Sequence, residues 1–425
     1  MTFQGPLSKP RLDCRVCHNI GFIDVLDMGP QPSAGHYLRQ SEIGTEPFFP
    51  LKLTSCKRCG FLQLSEVVDT SFLFSSYRFE SSSTATLQEH FRGFAEYILS
   101  DLVSEKPRAR ILEVGSNDGI LLGPLQRMGA EVLGIDPAAN IAEKARKRGI
   151  QTIPSHLTES LASRVQSQWG EADVVTGSNV FAHIDDLDSL FRGIRRVLSP
   201  EGFFLLEVGN AEAMLDELQY DTIYHEHYSY FTMPHLEMLL NRVGFEVVRC
   251  DHIPMHGGSL RVTARPCDLP VSKLAPDFNA VQFRSRCRAF GQESINHRDS
   301  LRDYLGRVRK EGKRLLGYGA PGRGNTLLSF LGIDSSWVHH LLDQSAERYN
   351  RWTPGSHIPI LNPAEYPLRN DETDEVLLLA WTYRDEVLEK EASYLDGGGR
   401  FIIPFPRMEV VSRFGNYLLS FQSGP

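Results

Sequence analysis

The sequence predicts an α/β chain of two strand–helix domains behind a small metal-binding one, and three observations predict it. Apolar strand-like runs alternate with helical patterns twice, from about residue 110 and again from about 314, as in doubly wound, mostly parallel sheets. Each alternation opens on a glycine-rich turn, "EVGSNDG" (113–119) and "GYGAPGRGN" (317–325). Ahead of both stand two Cys-x-x-Cys pairs, Cys14 with Cys17 and Cys56 with Cys59. At 425 residues the chain exceeds one ordinary core. Domains are expected at 1–75, 76–268 and 269–425.

Bulk properties exclude several classes of function. The net charge of -8 is spread along the chain with no basic stripe, so nucleic acid is not an expected partner. No apolar run approaches the ~20 residues that span a bilayer, and "MTFQGPLSKPRLD" is not a secretory signal. No membrane association and a cytoplasmic location are expected. Seven cysteines, an odd number, argue against a disulfide framework.

The elements follow in order. Residues 1–75 are rich in turn formers, with "FFPLKLTSC" (48–56) the expected last strand of an insertion between the two cysteine pairs. Four thiolates so spaced chelate one tetrahedral zinc ion and leave no position open for catalysis. Zinc would then fold a domain too small to bury its own core. "LQEHFRGFAEYILSDLV" (87–103) has apolar residues at helical spacing. Strands are expected at Arg110–Val114, at Glu131–Ile135 with Asp136 at its end, in "ADVVTGSNVFAHI" running into Asn179, and in "GFFLLEV" before Gly209. Residues 277–313 read as helix. "RLLGYGAPGRGNTLLSFLGI" then repeats the strand, turn and helix, with further strands in "VHHLLDQS", "VLLLAW" and "RFIIPFP".

The two glycine turns differ chemically. In "EVGSNDG" the second glycine of the dinucleotide fingerprint is replaced by Asn117, which leaves E-x-G-x-N-x-G. Gly115 and Gly119 let backbone pass beneath a ligand, Glu113 can act near a positively charged methionine-like moiety, and Asp136 is placed to accept both ribose hydroxyls. With Asp118 and Asn179 lining the same cleft, this resembles the class I S-adenosylmethionine-dependent methyltransferases. The second turn does match the fingerprint, as Gly317-x-Gly319-x-x-Gly322, with Asp343 closing the next strand. Arg323 makes an anion nest there conceivable. A nucleotide-type ligand, true NAD(P), or packing alone all remain open for it.

One stretch concentrates acid/base groups: "DTIYHEHYSYF" (221–231), with Tyr224, His225, Glu226 and His227 adjacent. On a strand the two histidines would share a face. Metal site, acid/base cluster and polar turn are the three readings. Zinc already has its cysteines, and the stretch follows a cofactor-binding strand, which favours acid/base work.

The whole chain resembles the sugar C-methyltransferases of deoxysugar biosynthesis, those that make branched sugars such as mycarose and tetronitrose. The segments that carry the resemblance are "CRVC", "CKRCGFLQL", "EVGSNDGIL", Asn179 with His183 and Ile184, "YHEH", "HGGSLR", "GYGAPGRGN" and "NRWTPGSHIPI". It implies C-methylation of a nucleoside-diphosphate 4-keto-6-deoxy sugar beside the ketone, usually at C-3 with C-5 as a variant, the nucleoside most commonly thymidine. It implies His227 as general base, Glu226 orienting it, Tyr224 hydrogen-bonding the enolate oxygen and His183 as a second histidine at that oxygen. Tyr77 or Phe79 would fill a family tyrosine position, the latter without the hydroxyl. His225, His256, Gly319, Arg323, Asn325 and Asp343 are expected on the substrate side, His225 without a role of its own. An O- or N-methyltransferase and a nicotinamide-linked oxidoreductase using the second turn are the alternatives.

Overall fold

In the computed structural model the described residues are 7–73, 85–267, 278–369 and 374–419. Among them, a seven-stranded sheet forms the middle of the molecule. Its order is Phe245–Ile253, Ser259–Pro266, Leu198–Gly209, Ala172–Ser178, Arg110–Val114, Glu131–Ile135, Thr152–Ile153. The last five of these run parallel, and Ser259–Pro266 is inserted antiparallel to both of its neighbours. Chain order reverses between Arg110–Val114 and Ala172–Ser178, the switch point where doubly wound sheets bind ligands at the strands' carboxyl ends. Gly115 sits there at φ 69°, which a side chain would strain.

A second sheet, of eight strands, belongs to the C-terminal domain and is parallel across Pro359–Leu361, Val338–Leu342, Arg314–Tyr318, Asp374–Leu378 and Arg400–Ile403. The expected helix at 277–313 is Ala280–Lys310, capped by the Asn279 side chain, which accepts from the Val281 and Gln282 amides. Its buried stripe runs Phe283, Cys287, Phe290, Ser294, His297, Leu301, Leu305 and Val308, a spacing of three and four that keeps one face inward. Gly291 lies on that face against the N-terminal strand Phe22–Pro32, where a Cβ would fall 1.9 Å from the Val25 carbonyl oxygen.

The N-terminal region is not a separate bead. Its strands Phe22–Pro32, Phe48–Cys56 and Leu62–Leu64 form a sheet whose fourth strand is Ser229–Tyr230, from within the histidine-rich stretch. Cys14, Val16, Cys56, Cys59 and Phe61 share one apolar cluster with the methyltransferase-type strands, and Val25, Leu26, Leu51 and Leu53 share another with the C-terminal sheet. The cores therefore cross the boundaries that composition suggests. "MHGGSL", which could pass for an interdomain turn, is a single turn feeding Ser259–Pro266 within the middle sheet.

Candidate active site

A cavity of about 370 Å³ opens at the switch point and is walled by all three regions. Gly115, Asn117, Asp136, Ser178 and Asn179 come from the middle sheet, Gly35 and Tyr37 from the N-terminal region, and Gly322, Arg323 and Arg348 from the C-terminal domain. That volume lies in the range of small-molecule sites.

The cofactor side is built on short backbone bonds. Asn117 and Asn179 both hold left-handed backbone, φ 47° and 54°, a conformation asparagine tolerates better than most residues. The Asn117 amide donates to Asp136 Oδ2 and the Ala138 amide to Oδ1, each at 2.9 Å. The pair fixes the Asp136 carboxylate at the cavity wall, while burial pushes its pKa up. A Cβ on Gly115 would sit 2.7 Å from Val180, so only glycine leaves the floor flat. Ser178 lines the cavity, and its hydroxyl is buried and without a hydrogen-bond partner among the described residues. A flat floor, an acceptor carboxylate after the second strand and an unsatisfied hydroxyl fit an adenosine-bearing ligand.

Three of the expected cofactor residues stand behind this wall instead. Glu113 is fully buried, its carboxyl pushed well up by burial and by Asp136 and Asp118, and it does not line the cavity. Asp118 pairs with Arg148 at 2.8 Å. Gly119, at φ 84°, packs against Ile150. They shape the turn rather than touch what lies on it. Ser155, His156 and Leu157 do line the cavity. They follow a strand of two residues, Thr152–Ile153, too short to leave a periodic signal.

The histidine-rich stretch is a turn followed by a short strand, so its two histidines part company. His225 points into the N-terminal sheet, its Nε2 3.3 Å from the Phe49 and Pro50 carbonyls and its ring edge-on to Phe49. It ties this stretch to the N-terminal sheet and does not line the cavity, which corrects its placement on the substrate side. His227 faces the cavity. Its Nδ1 lies 2.9 Å from the Thr222 carbonyl, which can only accept, so Nδ1 carries the proton. Nε2 is then the lone-pair nitrogen, and it accepts from the Tyr224 hydroxyl at 2.7 Å. Burial, with His183 5.0 Å away, holds His227 well below its usual pKa and therefore neutral. His183 and His256, both half-buried at the cavity, are lowered to about 4 by desolvation.

Both ring nitrogens of His227 are thus engaged by groups other than Glu226, which corrects the expectation that Glu226 orients it. Glu226 lines the cavity separately, and burial raises its pKa to about 7. It stands against Gly35, where a Cβ would lie 2.6 Å from Oε1.

On the C-terminal side the fingerprint glycines are taken up by packing. A Cβ on Gly317 would strike Leu341, and one on Gly319 would strike Ala380. Asp343 accepts the Ala320 amide at 2.6 Å and Arg348 at 2.9 Å. The Asn325 amide donates to the Ala34 carbonyl at 2.7 Å. Gly319, Asn325 and Asp343 do not line the cavity, which corrects their placement beside substrate. Arg323 lines it but is bonded to Asp221. Arg348 and Tyr37 also line it, with the Tyr37 hydroxyl on the Ala320 carbonyl at 2.5 Å. Neither has a motif that would have disclosed it. Tyr77 and Phe79 lie outside the described residues.

The four cysteine sulfurs lie within 4.8 Å of one another, Cys14 to Cys59 at 3.7 Å and Cys17 to Cys56 at 3.5 Å. Tetrahedral zinc with Zn–S near 2.3 Å spaces its sulfurs by about 3.8 Å, so the donor set fits a closed structural site. Between the first two cysteines, the buried Arg15 donates to Asp185 at 2.8 Å and to the Tyr228 carbonyl at 3.3 Å. Those partners lie two residues after His183 and one after His227. His235 Nε2 meets the Cys59 carbonyl at 2.9 Å, and Arg242 bonds the Val16 carbonyl.

Strand order, switch-point turn and the carboxylate at the cavity wall after the second strand define a class I S-adenosylmethionine-dependent methyltransferase. Comparison with known proteins narrows this. Family models match as a zinc binding domain over 14–74, a methyltransferase domain over 87–249 and a C-methyltransferase C-terminal domain over 254–406. The chain is 33% identical over 413 residues to the C-methyltransferase NovU of Streptomyces niveus, covering 95% of this chain and 98% of that one. It belongs to that C-methyltransferase family, uses S-adenosylmethionine and carries the cysteine-bound zinc. A ubiquinone biosynthesis O-methyltransferase of Xanthomonas oryzae pv. oryzae is 31% identical over 104 residues, 24% of this chain and 44% of that enzyme. The PH0226 protein of Pyrococcus horikoshii aligns over 47% of this chain and all of its own at 16% identity, TM-score 0.36.

Proposed function

We propose that the protein methylates a carbon beside the ketone of a nucleoside-diphosphate 4-keto-6-deoxy sugar, C-3 being the expected position, in branched deoxysugar biosynthesis. The carrying observation is the Tyr224–His227 pair in the cavity: a neutral histidine whose basic nitrogen is held by a tyrosine hydroxyl. Carbon is a poor nucleophile until an α-proton leaves, so this chemistry needs a base and a donor for the developing oxyanion. Burial pushes Tyr224 well above its ordinary pKa, which keeps its hydroxyl protonated and suits it to donate. The hydroxyl turns from Nε2 to the ketone oxygen as substrate enters. His227 Nε2 then takes the α-proton, and the C–H pair becomes the enolate double bond.

S-adenosylmethionine supplies the methyl electrophile, and Asp136, Asn117, Asn179 and Ser178 are the residues that would hold it. His183 stands beside the pair to hydrogen-bond the same oxygen. Glu226 and His256 face the sugar, and Arg348, at the C-terminal wall and ion-paired to Asp343, is the residue proposed to meet its diphosphate, thymidine diphosphate being the expected carrier. The setting is cytoplasmic. Among the described residues no helix is long and apolar enough to cross a membrane.

The test is solvent exchange. Thymidine diphosphate-4-keto-6-deoxyglucose, with the wild-type enzyme and S-adenosylhomocysteine in deuterated water, should exchange an α-hydrogen, and His227→Ala should not catalyse it. A methylated product with the methyl on oxygen or nitrogen, formed without exchange, would replace this reading with heteroatom transfer.

A further inference from the structure

Asp221 opens the catalytic stretch and is almost wholly buried, yet nothing in the proposed chemistry uses it. Both its oxygens are occupied. Arg323 donates from Nε to Oδ2 at 3.1 Å and from Nη2 to Oδ1 at 2.9 Å. The Trp381 indole N–H donates to Oδ2 at 2.8 Å. Arg323 also donates from Nη1 to the His256 carbonyl at 2.9 Å and from Nη2 to Gln219 at 3.2 Å. One bond from Nε, one from Nη1 and two from Nη2 use four of the five guanidinium donors. The guanidinium carbon lies over the Trp381 ring, 4.6 Å from its centroid. A cation so committed is poorly placed to bind a phosphate, although it reaches the cavity wall.

The next residue after Asp221 is Thr222, whose carbonyl fixes the proton on His227 Nδ1. We propose that Arg323 and Trp381 of the C-terminal domain, acting through Asp221, are positioning residues for His227: they hold the Thr222 carbonyl on Nδ1 and so keep Nε2 the basic nitrogen. This rests on the reading of His227 as the base. A second function follows for the C-terminal domain: its glycine turn delivers Arg323 to the catalytic stretch rather than presenting a nucleotide site of its own. The titratable or charged groups around the imidazole are Tyr224, Glu226 and Tyr230 of its own segment, His183, His256, Asp221 and Arg323.

The full-length protein with S-adenosylhomocysteine, labelled with 15N-histidine, reports the tautomer directly, the His227 signals being assigned by their loss in His227→Ala. Wild type should show protonated Nδ1. Asp221→Asn, Arg323→Lys and the double variant should each lose that signature while still binding S-adenosylhomocysteine. Hydrogen exchange on thymidine diphosphate-4-keto-6-deoxyglucose should fall about 100-fold in each, the scale of a misplaced catalytic group. The double variant should be no slower than the worse single, because one chain of contacts is broken twice. An unchanged Nδ1 signature in both single variants overturns the proposal. Weakened sugar-nucleotide binding with an intact signature in Arg323→Lys overturns it in favour of a phosphate ligand. If His227→Ala keeps exchange while the signature shifts as expected, the base assignment fails and the positioning stands.

Discussion

Glu226→Gln tests the electrostatics of the site without reference to any substrate. Glu226 is 7% exposed, and burial alone raises its pKa from 4.5 to about 7. The folded protein therefore binds this proton more tightly than the unfolded chain, and stability is lost as pH rises from 4.5 through 7. Each pKa unit is worth about 1.4 kcal/mol, so 2.5 units give a ceiling of about 3.4 kcal/mol at pH 8 and about 1.4 kcal/mol at pH 5.5. Glutamine carries no such proton. The variant should gain about 2 kcal/mol relative to wild type between pH 5.5 and pH 8. Contributions from His183, His256 and the zinc cysteines are common to both proteins and cancel in the difference. Urea denaturation at the two pH values, with zinc content confirmed, reads the effect from midpoints and slopes. A stability difference that is the same at both pH values would refute the argument, because the carboxyl would then titrate alike folded and unfolded.

His227→Ala should abolish α-hydrogen exchange and turnover while leaving S-adenosylhomocysteine binding by calorimetry within about twofold of wild type; near-normal turnover removes His227 as base. Asp136→Ala should weaken S-adenosylmethionine binding by about 2 kcal/mol, from the charge-assisted bonds it would offer to ribose, with the fold kept. Gly291→Val should lower the melting temperature sharply, since its side chain would meet the Val25 carbonyl across the helix–sheet joint. Arg15→Met should destabilise the protein by about 1 kcal/mol, the scale of the hydrogen bonds lost, because Asp185 is partly exposed and keeps Arg11 at 3.0 Å. It should also lower exchange on the sugar, because the Tyr228 carbonyl loses its side-chain tether and Asp185 is left to Arg11 alone at hydrogen-bond distance. Loss of stability with unaltered exchange would confine Arg15 to a structural role.

Much was legible in the sequence where local chemistry carries the message. Four cysteines at knuckle spacing, Gly115 in a strand-to-helix turn, and Asp136 one residue past the second strand all lie within a few residues of the feature that explains them. Short apolar runs likewise placed Arg110–Val114 and Arg314–Tyr318, which are buried on both faces, while Ala280–Lys310 buries one helical stripe. What depended on residues far apart in the chain was not legible. The second glycine turn matched a nucleotide fingerprint, yet its glycines answer to Leu341 and Ala380 across the sheet. Arg323 read as an anion ligand and is the partner of Asp221, 102 positions away.

The eleven residues around His227 divide along the same line. Sequence alone determined that acid/base groups of the right kinds stand together after a cofactor-binding strand. Only the tertiary structure decided which of them act as a unit. His225 turns away to the N-terminal sheet because its ring finds the Phe49 and Pro50 carbonyls there. His227 stays in the cavity because the Thr222 carbonyl and Tyr224 claim its two nitrogens. Glu226, flanked by both, is buried apart from either. Sequence lists the donors and acceptors, whereas which carbonyl lies 3 Å from which nitrogen is set by how the three regions close on one another.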